Sequence, residues 1–123
     1  MMLEIRQTAN YKNYSQLIDT LGIGDEIISI AEAYEGDRIT GFAVYHFSDE
    51  MVIIDHAESG DDLYLFDGII RSVLFLAMTK GIEEAMFNLA SNEEIIKLHF
   101  VKGNEKCIHS ISDFMNNCKN CGL

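Results

Sequence analysis

The stretch SGDDLYLFDGIIRSVLFLAMTKG, residues 59–81, constrains the fold more than any other part of the chain. Leu63, Phe66, Ile70, Val73 and Ala77 recur at steps of three and four, the spacing of one helix face. Ile69, Leu74 and Phe75 widen that face until the helix is apolar nearly all round. Such a helix has to lie between a sheet and other elements, so the rest of the chain must supply the sheet. Ser59 or Asp61 can cap its start, where carboxylates suit the positive end of the helix dipole, and Gly81 stops it. Asp67 and Arg71, four apart with the acid first, read as an exposed pair.

The flanking segments supply strands. Leu3 to Arg6 alternates and reads as a short strand. Asn10 to Leu21 carries Tyr14, Leu17, Ile18 and Leu21 at helical spacing, with Gly22 as the stop. Ile28 to Tyr34, Ile39 to Phe47 and Met51 to Ala57 are three strands, separated by turns at residues 35–38 and 48–50; such tight turns favour an antiparallel meander. After the long helix come a strand (Ile82 to Leu89), a helix (Asn92 to Phe100), a strand (Glu105 to Ile111) and a short helix from Ser112. A strand–helix–strand step implies a parallel crossover. The expected architecture is α/β (α+β): a mixed, mostly antiparallel sheet flanked by helices on both faces, as one domain over residues 1–123 with an atypical tail at 105–123.

With 48% hydrophobic residues in 123, the chain can bury a sizeable core. Its formal charge of −11 argues against nucleic acid and against an anionic membrane surface as partners, because both demand clustered Lys and Arg. An acidic surface suits amine-bearing partners. The start, MMLEIRQTANYKNY, has no apolar signal region, and the longest unbroken apolar run, Val73 to Met78, is far short of the roughly 20 residues that span a bilayer. A cytoplasmic protein is expected, with Cys107, Cys118 and Cys121 as thiols or metal ligands rather than disulfides.

Two segments carry a family resemblance. AEAYEGDRITGFAVYHF resembles the second and third strands of the GNAT superfamily of acyl-CoA-dependent N-acyltransferases, and NLASNEEIIKLHFVKGN resembles that family's V-x-x-x-N-x-x-A-x-x-LY-x-K-x-GF segment, with Asn92, Leu98 and Gly103 on matching positions. The resemblance spans roughly residues 3–104 and implies acetyl-CoA or another acyl-CoA as cofactor. The family's Q/R-x-x-G-x-G/A loop falls on Leu65-Phe66-Asp67-Gly68-Ile69-Ile70, where only Gly68 fits. Asp61, Asp62 and Asp67 add negative charge where a diphosphate would arrive.

The resemblance also implies a mechanism. A deprotonated small amine attacks a thioester, a backbone N–H of the fourth strand steadies the oxyanion, and a general acid protonates the leaving thiolate. It puts the cofactor against Ile54, Ala57, Gly68 and Asn92. His99 stands at the acid's position, which the family often gives to Tyr; an imidazole donates near neutral pH, and the same position suits a solvent-facing histidine. Asp55, His56 and Glu58 are where the family places its base. Strand alternation sets Asp55 and Ala57 on one face and His56 and Glu58 on the other. Tyr45 and His46, on the neighbouring strand, either line the same cleft or pack in the meander.

The tail CIHSISDFMNNCKNC gives a different class of function. Cys118 and Cys121 have a zinc-ligand or redox spacing that Cys107 or His109 could complete. Three functions follow: acyl transfer to a small amine, a non-catalytic module of the same fold that binds a small ligand or a protein, or a metal- or redox-responsive protein. The shortened final strands also expose a sheet edge, for which a homodimer is the expected cover.

Overall fold

A computed structural model describes residues 3–121, with side chains described as far as Asn116. Six strands form one sheet in sequence order: β1 (Leu3–Thr8), β2 (Ile28–Glu35), β3 (Arg38–Ser48), β4 (Met51–Glu58), β5 (Glu84–Phe87) and β6 (Cys107–Ile108). All neighbours are antiparallel except β4 and β5, the parallel pair that the crossover predicts. The β2–β3 hairpin turns at Gly36, whose φ of 67° suits a residue without Cβ.

The long helix, α2 (Leu63–Thr79), lies on one face of the sheet. Leu65, Phe66, Ile69, Ile70, Val73, Leu74 and Ala77 are buried, against Ala31, Ala43, Tyr45, Val52 and Ile54 of the strands. Full burial of an aliphatic or aromatic side chain contributes about 1.5–3 kcal/mol, so this face dominates the core. Two predicted face residues depart from it: Leu63 and Phe75 are exposed, at the first turn and on the outer side. The helix ends where Gly81 adopts φ 79° and Ile82 N–H reaches back to the Ala77 carbonyl. Asp67 and Arg71 pair at 2.8 Å, but the pair is half-buried: the guanidinium lies over the rings of Phe100 and Phe114. Phe114 belongs to α4 (Ile111–Cys121), so Arg71 pins the tail helix to α2.

On the opposite face, residues 12–14 form a 3₁₀ turn leading into α1 (Ser15–Leu21), which Gly22 closes in a left-handed conformation. Ile18 packs there with Ile28, Ile30 and Val44. The remaining helix, α3 (Glu93–Lys97), is shorter than the predicted Asn92–Phe100, and β6 is shorter than the predicted Glu105–Ile111. Among the described residues no helix is long and apolar enough to cross a membrane.

Candidate functional site

The site follows from where β4 loses a neighbour. Its parallel pairing with β5 covers Met51 to Ile54 only. The Asn88 N–H takes the Ile54 carbonyl at 2.8 Å, and residues 56–58 continue with β3 partners alone. Into this opening come the 59–62 turn and the start of α2. Gly60 turns it with φ 63°, Ser59 Oγ donates to the Asp62 carbonyl at 2.8 Å, and the Asp62 side chain accepts from Leu65 N–H at 3.0 Å. Gly41 underlies the turn. A Cβ there would stand 2.9 Å from both the Glu58 carbonyl oxygen and Ile69 Cδ1, so only glycine lets β3 pass so close.

The result is a groove of about 370 Å³ between the end of β4, the 59–62 turn and α3. Glu58, Asp61, Asp62 and Glu94 line it, against Lys97 as the sole lining cation. Lys97 is itself 3.3 Å from Glu93. Glu94 and Lys97 carried no signal in the sequence; their roles depend on which side of a five-residue helix meets the opening.

A β-bulge between Val44 and Tyr45 opposite Asp55 breaks strand alternation. Asp55 is therefore not on the face opposite His56. Its buried carboxylate, 1% exposed, is 2.6 Å from His46 Nδ1 on the α1 side, and Asn88 Nδ2 donates to its other oxygen at 3.3 Å. His56 instead pairs with Glu58, Nε2 to Oε1 at 2.9 Å. Two imidazole–carboxylate pairs result. The buried pair ties β3, β4 and β5 together; the exposed one sits at the groove, through Glu58. Tyr45 lies in the α2-side core with its hydroxyl donating to Gln7 at 2.7 Å, and burial pushes its phenol up to about 12.

Next to the groove, Tyr14 donates to Glu32 Oε2 at 2.6 Å and Tyr34 to Glu32 Oε1 at 3.2 Å. Burial, then the Glu32 hydrogen bond, pushes the Tyr14 phenol well above the usual range, so it stays a donor. This link spans residues 14 and 32 and was invisible in the sequence.

Several predicted site residues stand elsewhere. His99 is not on a helix. Its N–H bonds the Ile96 carbonyl and Phe100 N–H bonds the Ile95 carbonyl, a Schellman closure of α3 with His99 at φ 66°, the position that glycine usually fills. Its side chain is exposed and is not part of the groove. Ile54 has its side chain in the core and its carbonyl taken by Asn88. Ala57 does line the groove. Asn92 starts α3, its carbonyl accepting from Ile96 N–H, and its Oδ1 is buried without a hydrogen-bond partner among the described residues. The side chains of Cys118 and Cys121 lie outside those described, and no cluster of three metal-ligating groups occurs among the described residues.

Gly68 is in the body of α2, where an added Cβ would meet only Ile5 Cδ1 at 3.8 Å. It is not part of a phosphate loop, so the register Leu65 to Ile70 does not form one. The residues that do enter α2 fit a coenzyme A diphosphate poorly. Asp62 already holds the Leu65 N–H that a phosphate would use, and three further carboxylates line the approach. Each like-charge contact at about 4 Å costs about 1 kcal/mol in water and about 4 kcal/mol at a partly buried surface.

No protein-family model matches this chain, and no curated protein matches its sequence. Solved structures do. A GNAT-family protein from Desulfovibrio desulfuricans superposes with a TM-score of 0.58 at 10% identity, over 87% of this chain and 96% of its own. An acetyltransferase of the GNAT family from Staphylococcus aureus Mu50 gives 0.53 at 11% identity, over 80% of this chain and 79% of its own. The acetyltransferase from Vibrio fischeri gives 0.50 at 15% identity, over 70% and 95%. At such low identity the likeness is one of fold.

Proposed function

We propose that this protein, whose fold is that of the GNAT acetyltransferases, binds a small amine-bearing cation in the groove at the open end of β4, and does not grip coenzyme A by its diphosphate. The observation that carries this reading is the Asp62 carboxylate on the Leu65 N–H, at the helix start where an anion would otherwise dock. Glu58, Asp61 and Glu94 extend the same negative field across the opening, which raises the local concentration of cations.

Acyl transfer from an acyl-CoA to that amine is the second reading. The parting of β4 from β5 after Ile54 favours it, since it leaves strand edge open to an extended chain, and so do the acetyltransferase names of the structural neighbours. Under either reading the His56–Glu58 pair would hold the ammonium; in acyl transfer it would also accept the proton that the amine loses before attack.

Calorimetric titration with n-butylamine at low salt tests the proposal. Saturable one-to-one binding, weakened by salt and by Glu94→Gln, is the expected result. Absence of heat up to millimolar amine overturns it.

A further inference from the structure

A second hollow, of about 300 Å³, adjoins the acidic groove; Glu58 and Gly60 border both. Its walls differ in kind, being chiefly Tyr14, Ile39 and Phe42, with Asn13 and Thr40 beside them. The two aromatic walls are held in place. Glu32 fixes the Tyr14 hydroxyl at 2.6 Å, and the Tyr14 ring lies 4.5 Å from that of Phe42. The Phe42 ring in turn lies 5.7 Å from the His56 imidazole, which is bound to Glu58. An ordered aromatic wall and a carboxylate at its mouth are thus one connected unit.

Ordered apolar surface beside a single acid fits a molecule with an alkyl body and a positive end. A primary ammonium needs the acid; an alkyl tail needs the wall, and neither satisfies the other. We propose that this hollow takes the tail of an alkylammonium ion whose charged head sits at Glu58, where the two hollows meet. The proposal rests on the reading of the groove as a cation site and narrows its ligand to a monoamine with an apolar chain.

A homologous series tests it: methylamine, butylamine and hexylamine, with 1-hexanol as the uncharged control, titrated calorimetrically into the full chain. Affinity is expected to rise along the series by up to about fourfold per methylene. Ile39→Ser, at an exposed strand position (39%), and Phe42→Leu should flatten that rise. Glu58→Gln should weaken every amine, and hexanol should not displace hexylamine. Equal affinity for all three amines would overturn the tail site while leaving the cation groove standing. Hexanol binding as tightly as hexylamine would overturn the role of Glu58. If no amine binds, both readings fall.

Discussion

The carboxylate of Asp62 accepts a hydrogen bond from the backbone N–H of Leu65 at 3.0 Å, closing from within the chain the helix start that a phosphate would otherwise use. This cap separates two roles that one residue performs. As a hydrogen-bond acceptor it stabilises α2; as a charge it sets the sign of the groove. Asp62→Asn keeps an acceptor and should leave stability within a few tenths of a kcal/mol, whereas Asp62→Ala should lose about 1 kcal/mol. Both should weaken amine binding. Urea denaturation and calorimetry on the two variants check this.

His46 and Asp55 form the buried pair of the sheet, at 2.6 Å. Truncation of either leaves the other short of a partner away from water. His46→Ala is expected to cost about 1–3 kcal/mol by chemical denaturation, plus the cavity left by the ring. Because neither residue lines the groove, amine affinity of the folded variant should stay unchanged. A specific loss of binding would give the buried dyad a role in the site.

His99 occupies a left-handed position, φ 66°, in the Schellman closure of α3. Glycine has no Cβ penalty there. His99→Gly should raise stability by about 0.5–1 kcal/mol in thermal unfolding, with ligand binding intact. A general acid at this position would instead show as a lost step in any acyl transfer.

Glu83 anchors the tail helix: it accepts from the hydroxyl and N–H of Ser112 and from the Ser110 hydroxyl. The Ser112 hydroxyl first, then its N–H, hold the Glu83 carboxyl below its ordinary value of 4.5. A carboxyl depressed on folding stabilises the protein above its unfolded value and loses that contribution as pH falls through the folded one. Stability should therefore decline below about pH 4.5, and Glu83→Gln should flatten that acid limb, as followed by denaturant midpoints between pH 3 and 6.

Local chemistry made much of this molecule legible. The apolar wrap of residues 63–79, the stops at Gly22 and Gly81 and the tight hairpins made the mixed sheet, its antiparallel meander and its parallel step legible, because each rests on residues near one another in the chain. A capped helix start was legible, but the sequence pointed to Ser59 or Asp61 and the cap is Asp62. What escaped was set by register and by distance. The bulge at Asp55 reverses the face of one side chain, and nothing in MVIIDHAE marks it. His99 sits in a glycine's place, so the end of α3 carried no glycine signal. The Tyr14–Glu32 bond and the inward side of α3 depend on tertiary packing between segments far apart in sequence. Gly68 matched a motif letter but stands inside a helix, where the motif's chemistry has no use for it.

The start of α2 is built for a ligand of positive charge. Titration of the purified protein with acetyl-CoA by calorimetry at low salt tests it most directly, with hexylamine as the paired ligand. Heat is expected for hexylamine and none for acetyl-CoA up to millimolar concentration. Saturable micromolar binding of acetyl-CoA would contradict it, because a dianionic group would then be seated among Glu58, Asp61, Asp62 and Glu94.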